Sequence, residues 1–377
     1  MRVVIVTESF PPDVNGVAHC TLQTARHLAA RGHQPLVVAP AAAGAGATRD
    51  PDADAPCPVV RVPSLPLPGY PQVRVALPGR RLAAALTAHR AELVHLASPF
   101  VLGARGMNVA GRLGLPAVAV YQTDLAGYAR TYLRTGEQTA WRRMRAVHAA
   151  ADRTLAPSTA ALGDLVAHGV PRVHLWPRGV DTARFHPGLR DEELRRALAP
   201  GGERLVGYVG RLAPEKHVEL LAGACGVPGV KLVVVGDGPS AASLRGALPG
   251  AVFLGRRTGD ELARIYSSLD LFVHTGPYET FCQTVQEAMA SGLPVVAPAA
   301  GGPLDLVDQG RTGLLVRPLD AGAVRDAVRA LTADPERAAA YGRAGQETVR
   351  GRTWEAVGDL LLHHYDEVLR ARTAVAA

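Results

Sequence analysis

The fold is indicated first by residues 3–32, which read VVIVTESFPPDVNGVAHCTLQTARHLAARG. The stretch opens with a β-branched run over residues 3–6, which is typical of a buried strand. Two prolines and an Asn-Gly pair then predict a loop. Apolar residues follow at the three- and four-residue spacing of an amphipathic helix, which closes near Gly32. Strand, loop and helix in this order are typical of a parallel α/β sheet.

The same alternation continues along the whole chain in two series. The first series ends at residue 175, the second runs from residue 205 to residue 316, and a polar Pro/Gly-punctuated segment separates them. We therefore expect two Rossmann-like domains with doubly wound parallel sheets, over residues 1–178 and 179–353. The last helix carries an apolar stripe, and we expect residues 354–377 to cross back to the first domain. A helix that ends its own domain is the alternative.

Composition excludes several classes of protein. The chain has 377 residues, 47% hydrophobic and 20% charged, which disfavours a disordered chain or a coiled coil. No apolar run approaches the roughly 20 residues of a membrane span, and the N-terminus lacks a signal-peptide pattern. The cysteines are far apart, which argues against a disulfide framework or a zinc ribbon. We therefore expect a cytoplasmic protein. The cysteines are Cys20, Cys57, Cys225 and Cys282.

Positive charge is concentrated between residues 61 and 112, where seven arginines accompany a single acid, Glu92. Such an excess attracts phosphates, nucleic acid or anionic lipid head groups, and the alternative is a solvated arginine-rich surface. Nucleic acid is disfavoured because no aromatic-interleaved RNA motif or basic recognition helix accompanies the arginines. The seven are Arg61, Arg74, Arg80, Arg81, Arg90, Arg105 and Arg112.

Several familiar motifs are absent, which removes further classes of enzyme. The chain has no G-x-x-x-x-G-K-[ST] loop, no G-x-G-x-x-G after its first strand and no G-x-S-x-G elbow. A P-loop NTPase, a nicotinamide dehydrogenase and an α/β-hydrolase are therefore disfavoured. Residues 52–54, DAD, resemble a metal-binding D-x-D motif, but they lie in an Ala/Gly/Pro-rich stretch, so we attribute the match to chance.

A cationic loop follows the first strand of the second series. After residues 205–209, LVGYV, come Arg211 and, five positions later, Lys216, one of only two lysines in the chain. Since the carboxyl ends of parallel strands face the ligand crevice, this guanidinium and this ammonium are placed to bind a diphosphate. An ordinary strand–helix loop with a solvated lysine is the alternative.

Two glutamates, Glu279 and Glu287, follow a later strand of the same series. Residues 279–287 read ETFCQTVQE, and a capping-box pattern predicts that a helix begins at Phe281. Its N-terminal N–H groups would bind a diphosphate. Glu287 would accept hydrogen bonds from ribose hydroxyls, and Glu279 would bind sugar hydroxyls. Alternatively, Glu279 interacts with the helix dipole and Glu287 lies on a wet helix face.

Polar residues also follow two strands of the first series. Gly16, in the loop after the first strand, would let backbone N–H groups approach a phosphate, and a plain turn is the alternative. Gln122 and Asp124 follow another predicted strand and would face a substrate held by the second domain.

Together these motifs resemble the family 4 retaining glycosyltransferases of the GT-B fold, over essentially the whole chain. The resemblance rests on residues 8–17 (ESFPPDVNGV), 66–71 (PLPGYP), 210–216 (GRLAPEK), the glutamates 279 and 287, 292–297 (GLPVVA) and 301–302 (GG). Residues 121–124 (YQTD), 155–158 (LAPS), 178–181 (RGVD) and 274–276 (HTG) are most similar to the GDP-mannose-dependent α-mannosyltransferases of actinobacteria.

The resemblance implies a role for each matching position. Gln122 stands where many relatives carry a histidine, and since glutamine cannot titrate, a histidine-dependent contact is absent or replaced by Asp124. The implied catalytic side chains are Arg211, Lys216, Glu279 and Asp124. The implied donor ligands are Arg211, Lys216 and Gly16 for the diphosphate, Glu287 for the ribose, Glu279 with the backbone of Phe281 and Cys282 for the sugar, and Arg257 for the base pocket.

The implied activity is retaining transfer of a hexose, mannose from GDP-mannose, to a membrane glycolipid or phospholipid. We expect the enzyme to be peripheral on the inner face of the plasma membrane, with no metal or other cofactor and no nucleic acid partner. A soluble acceptor, such as an inositol derivative or an aglycone, and a UDP-sugar donor are alternatives. A nucleotide-sugar epimerase and a non-catalytic nucleotide-sugar-binding module are more distant ones.

Overall fold

The computed structural model describes residues 1–41, 52–67, 70–77, 79–123 and 136–376. They form two compact units. The first unit comprises Met1–Arg178 and the chain from Trp354 onward, and the second comprises Gly179–Thr353. No helix in the described ranges combines the length and apolarity that crossing a membrane requires.

A seven-stranded parallel sheet lies at the centre of the first unit. The strands of the unit are β1 (Arg2–Val6), β2 (Gln34–Pro40), β3 (Val59–Val62), β4 (Ser64–Leu67), β5 (Tyr70–Ala76), β6 (Leu93–Leu96), β7 (Ala117–Val120), β8 (Arg153–Ala156) and β9 (Val173–Leu175). Its helices are α1 (Gly16–Ala30), α2 (Arg80–Ala88), α3 (Leu102–Arg112), α4 (Glu137–Ala150), α5 (Thr159–Ala167) and α14 (Trp354–Ala376). The sheet has the order β3-β2-β1-β6-β7-β8-β9, and β4 pairs with β5 as a separate antiparallel hairpin.

The C-terminal helix α14 completes the core of this unit. Its apolar stripe lies in one hydrophobic cluster with the fully buried Val3 and Ile5 of β1. The Trp176 indole also donates to the Val357 carbonyl over 2.9 Å. Burial of the stripe confirms the predicted return of this helix to the first sheet. The stripe consists of Val357, Leu361, Tyr365 and Val368.

A six-stranded parallel sheet lies at the centre of the second unit, in the order β12-β11-β10-β13-β14-β15. Its strands are β10 (Arg204–Val209), β11 (Val230–Val235), β12 (Val252–Gly255), β13 (Leu271–Val273), β14 (Val295–Pro298) and β15 (Gly313–Val316). The helices are α6 (Glu192–Leu198), α7 (Ala222–Cys225), α8 (Ala241–Ala247), α9 (Gly259–Ser268), α10 (Gln283–Ala290), α11 (Pro303–Leu306), α12 (Ala321–Ala333) and α13 (Pro335–Val349).

Each sheet changes its winding direction at one pair of central strands. In the first unit the change falls between β1 and β6, and in the second between β10 and β13. Doubly wound sheets bind ligands outside the carboxyl ends of the strands at such a point. We therefore expect a ligand site in the loops that follow these strands. They contain Gly16 in the first unit and Arg211, Lys216 and Glu279 in the second.

A glycine brings two loops of the second unit close together. Gly236, directly after β11, has φ of 139°, and a Cβ there would lie 1.8 Å from the Gly210 carbonyl oxygen. Any side chain would therefore push the loop after β11 away from the loop that carries Arg211. Close packing of the two loops therefore helps to fix the backbone of the Arg211 loop.

The arginine-rich segment is less exposed than its charge predicts. Arg61 is mostly buried and pairs with Asp52, with 2.6 Å between Nη2 and Oδ1. Arg74 donates from Nε to the Ser64 hydroxyl over 2.7 Å. Two of the seven arginines therefore hold the structure together, and Asp52 serves as an ion-pair partner. The remaining five, Arg80, Arg81, Arg90, Arg105 and Arg112, are exposed.

Candidate active site

The cationic loop after β10 is held by its own glutamate. Residues Pro214–Lys216 form a short 3-10 helix, with proline in its first turn. Glu215 is buried and accepts a hydrogen bond from Nη2 of Arg211. This contact fixes the Arg211 guanidinium at the carboxyl end of the strand. Glu215 belonged to the sequence motif but had no predicted role, so it is an added positioning residue.

Lys216 and Glu279 meet, although 63 positions separate them in sequence. The Lys216 ammonium lies 2.5 Å from Oε1 of Glu279. Burial would raise the pKa of Glu279, but Lys216 and His274 outweigh burial and hold this pKa well below its usual range. Glu279 is therefore a carboxylate at any ordinary pH. The loop after β13 thus presents a fixed negative charge directly against the loop after β10.

His274 is the residue of this site that sequence reasoning did not single out. It directly follows β13, is 2% exposed, and stacks on the Tyr208 ring at a 10° interplanar angle. Its Nε2 lies 3.2 Å from the same Glu279 oxygen that contacts Lys216. Burial lowers the pKa of His274, but Cys282 and Glu279 outweigh burial and raise it to about 10. The sequence could have indicated His274 as a site residue, because it directly follows the predicted strand at residues 271–273.

The predicted start of the helix after β13 is wrong by two residues. The helix α10 begins at Gln283, and its N-cap is Cys282 in the left-handed region, with φ of 76° and no side-chain cap. The capping box is therefore not formed. The backbone before the cap is fixed by close approach instead, since a Cβ at Gly302 would lie 2.1 Å from the Phe281 carbonyl oxygen. Phe281 and Cys282 thus precede the helix.

Glu287 lies little more than one turn into α10. Its Oε2 accepts a long hydrogen bond, 3.4 Å, from the Tyr266 hydroxyl. Burial raises the pKa of Glu287 to about 8, against the opposing hydrogen bonds from Tyr266 and Gln283. Glu287 is therefore a carboxyl that holds its proton near neutral pH. Tyr266 is a further neighbour that the sequence did not reveal.

Arg257 stands apart from the groups around Glu279. It follows β12, the edge strand two positions from β10 in the sheet. Its Nη1 lies 3.3 Å from Oε1 of Glu261, on the first turn of α9. Arg257 is therefore at the carboxyl edge of the same sheet, paired with an acid of its own.

In the first unit, Arg178 connects two predicted site residues. Gly16 is the first residue of α1, whose N-terminus is capped by the Asn15 side chain. Arg178 donates from Nη2 to Oε1 of Gln122 over 2.9 Å, and a Cβ at Gly16 would lie 2.9 Å from its Nη1. Gln122 also donates to the Ala97 carbonyl over 2.8 Å, so its amide is fixed at both ends. Arg178 appeared only as part of a motif at the domain boundary.

Asp124, the remaining predicted acceptor-side residue, lies outside the described residues. Another carboxylate, Glu8, directly follows the described central strand β1. It accepts hydrogen bonds from the N–H groups of Leu102 and Gly103 at the start of α3, over 2.6 and 3.1 Å. Burial outweighs these bonds and raises the pKa of Glu8 to about 7. Glu8 therefore joins the two strand ends where the first sheet reverses.

Comparison with known proteins identifies the family. The family model described as Glycosyltransferase Family 4 matches residues 14–184, and the one described as Glycosyl transferases group 1 matches residues 190–348. A GDP-mannose-dependent alpha-mannosyltransferase of Mycobacterium tuberculosis is 49% identical, over 100% of this chain and 99% of its own. The chain belongs to glycosyltransferase family 4. It is a glycosyltransferase, as its motifs predicted.

Two further relatives are informative. A GDP-mannose-dependent alpha-mannosyltransferase of Corynebacterium glutamicum is 44% identical, over 98% of this chain and 89% of its own. A GDP-mannose-dependent alpha-(1-6)-phosphatidylinositol monomannoside mannosyltransferase of Mycobacterium tuberculosis is 30% identical, over 94% of this chain and 96% of its own. The chain is thus similar along its full length to enzymes named for the same donor.

Solved structures confirm the GT-B fold class. Anabaena HepE in complex with UDP matches with a TM-score of 0.79 and 21% identity, over 97% of this chain and 100% of its own. Sucrose-phosphate synthase from Thermosynechococcus elongatus matches with a TM-score of 0.80 and 23% identity, over 98% and 99%. At these identities the likeness concerns the fold.

Proposed function

We propose that this glycosyltransferase transfers mannose from GDP-mannose to a hydroxyl of a lipid acceptor, with retention of the anomeric configuration. The donor is supported by the full-length relatives at 44% and 49% identity, which are named for GDP-mannose. The lipid acceptor is supported by the more distant relative at 30% identity, which is named for a phosphatidylinositol mannoside. A soluble acceptor and a UDP-sugar remain the competing hypotheses.

The observation that carries the proposal is the contact between Lys216 and Glu279 at the point where the second sheet reverses. Lys216 would move its ammonium from the carboxylate to the donor diphosphate, while the Arg211 guanidinium binds the same group. Both cations would stabilise the negative charge that builds on the departing GDP. Glu279 would then be free to accept hydrogen bonds from the sugar hydroxyls. Lys216 would thus pair with Glu279 in the free enzyme and with the diphosphate in the transition state.

The neighbouring groups complete the proposed donor site. Glu287 would bind the ribose hydroxyls, and Arg257 would line the base pocket. The backbone of Phe281 and Cys282, fixed by the close approach of Gly302, would contact the sugar. Since two cations balance the diphosphate, we propose that transfer needs no metal ion.

The first unit would hold the acceptor. Its described acceptor-side group is the Gln122 amide, which Arg178 orients. Glutamine can donate and accept hydrogen bonds but cannot take a proton, so Gln122 would position the acceptor rather than deprotonate it. Asp124 remains the proposed proton acceptor.

A donor panel tests the proposed activity. The enzyme is incubated with GDP-mannose, GDP-glucose, UDP-glucose or UDP-galactose, with a phosphatidylinositol mannoside or with free inositol, in the presence of EDTA. We expect lipid-dependent release of GDP from GDP-mannose and an α-linked mannose in the product by NMR. Preference for a UDP-sugar, a β-linked product or dependence on free inositol would contradict the proposal.

A further inference from the structure

One group of metal-ligating side chains in the described residues belongs to three different chemical types. His274, Glu279 and Cys282 each offer one ligand atom, and these atoms all lie within 4.8 Å of one another. All three follow β13, within nine positions of sequence. The backbone conformation at Cys282, with φ of 76°, turns the chain at this point. The cluster therefore arises from the same sharp turn that delays the start of α10.

We propose that His274, Glu279 and Cys282 form a binding site for zinc(II). An imidazole nitrogen, a carboxylate oxygen and a thiolate sulfur are the ligands that zinc prefers in proteins. Three protein ligands leave a fourth position for water, which is a common zinc arrangement. Magnesium and calcium, in contrast, require oxygen ligands and do not suit a thiolate with an imidazole.

The distances agree with tetrahedral coordination. Two zinc bonds of roughly 2.0–2.1 Å at a tetrahedral angle place a nitrogen and an oxygen ligand about 3.3 Å apart. The observed distance between Nε2 of His274 and Oε1 of Glu279 is 3.2 Å. The Cys282 sulfur lies within 4.8 Å of both atoms, and tetrahedral coordination places it about 3.5 Å from each. Nε2 of His274 and Oε1 of Glu279 therefore already have the separation that two zinc ligands require.

His274 supplies a second, independent observation. Its side chain is 2% exposed, and among the described residues neither ring nitrogen makes a hydrogen bond of ordinary geometry. Buried polar atoms are nearly always satisfied, and the 3.2 Å contact of Nε2 with Oε1 of Glu279 lacks ordinary hydrogen-bond geometry. A metal ion between the ring, the carboxylate and the thiolate would satisfy the ring.

The contact of Lys216 with Glu279 opposes binding of zinc to the proposed site. The ammonium lies 2.5 Å from Oε1 of Glu279, so zinc has to displace it or use the other carboxylate oxygen. Binding also releases one proton from the His274 ring and one from the Cys282 thiol to solvent. If the proposed function holds, zinc and donor would compete, because both need Glu279. Zinc would then act as an inhibitor of this enzyme. Binding itself does not depend on that activity.

Cobalt(II), a spectroscopic substitute for zinc, tests the site in the full-length protein with its thiols kept reduced. We expect the near-ultraviolet charge-transfer band of a cobalt–thiolate bond, removed stoichiometrically by zinc and unaffected by magnesium. The band should vanish in C282S and in C282G, the latter accepting the left-handed backbone without strain. Variants C225S and C57S should keep it.

Affinity for zinc gives the quantitative test. Replacing one outer-shell partner of a metal usually costs 10–100-fold in affinity, so losing a ligand in H274A or C282G should cost about tenfold or more. Circular dichroism verifies that each variant is folded. Absence of the thiolate band in the wild type, or equal zinc affinity in wild type and both variants, would overturn the site. A transferase assay plays no part in this test, so its failure and that of the proposed function remain distinguishable.

Discussion

At the scale of single residues, Lys216 is the most informative position because the chain has only one other lysine. Replacing Lys216 by alanine removes the ammonium that we propose stabilises the departing diphosphate. We expect a fall in kcat of about 100-fold or more, as for loss of one preorganised donor in other enzymes. Steady-state kinetics with GDP-mannose measure it.

Lys231 provides the matched control. It lies on β11, partly buried and away from the predicted site loops. K231A makes the same chemical change and should retain most of the wild-type turnover. Equal rates in K216A and K231A would remove Lys216 from the catalytic machinery.

The raised pKa of Glu287 should make the stability of the protein depend on pH. This pKa is raised from 4.5 to about 8 in the folded protein, so the folded state holds this proton more tightly than the unfolded chain. The resulting stabilisation is complete below the unfolded pKa and is lost as pH rises through the folded pKa. The Tm of the wild type should therefore fall between about pH 5 and pH 8 relative to E287Q, whose amide stays neutral.

Differential scanning calorimetry across this range measures the effect. Each kcal/mol corresponds to roughly 2–4 °C for a unit of this size, so a shift of several degrees is expected. E336Q, at an exposed glutamate on α13, should track the wild type. Parallel Tm curves for wild type and E287Q would show that Glu287 titrates normally.

Sequence motifs pointed to the charged residues of the proposed donor site but not to the neighbours that contact them. Arg211, Lys216, Glu279 and Glu287 follow strands in recognisable motifs. His274 was missed although it directly follows β13. Arg178 was hidden because its role depends on a contact with Gln122, 56 positions away. A local sequence pattern does not show which distant residues come into contact.

At the scale of elements, helix α2 carries two of the five exposed arginines of the arginine-rich segment. Arg80 and Arg81 are exposed in its first turn, beside the exposed Leu77. We propose that this end of α2 contacts anionic lipid. Each basic residue near such a surface contributes about 1 kcal/mol, so R80E/R81E should weaken binding to phosphatidylglycerol vesicles by about tenfold or more.

Vesicle sedimentation at fixed salt measures that change. Glutamates at a helix N-terminus favour the helix dipole, so loss of α2 would not explain weaker binding. R142E/R143E, at an exposed arginine pair on α4, changes the net charge equally and should bind like the wild type. Equal loss in both double variants would reduce the effect to net charge.

Sequence patterns predicted the presence of elements better than their boundaries. Most strands of the two parallel sheets were recognisable because burial on both faces demands continuous apolar runs. The edge strand β3 and the β4–β5 hairpin were not predicted. The start of α10 was mistaken because its cap is a backbone conformation at Cys282, which no capping-box pattern encodes. Arg61 was mistaken for a surface charge because its partner Asp52 lies in a stretch without periodicity.

At the scale of the whole molecule, alternation of strands and helices predicted both parallel sheets, and the apolar stripe of the last helix predicted its return to the first sheet. The order of strands follows from winding rules that the sequence does not display, yet it decides the site. Placing β10 beside β13 brings Lys216 to Glu279 across 63 positions. A different order with the same strands would have separated them.

Binding of GDP and GMP to the wild type and to K216A, measured by isothermal titration calorimetry, tests the central claim most directly. The two nucleotides differ only by the β-phosphate, which Lys216 is proposed to bind. We predict that the wild type prefers GDP, that K216A loses at least about tenfold in GDP affinity but little for GMP, and that K231A behaves like the wild type. An unchanged ratio of GDP to GMP affinity in K216A would contradict the account.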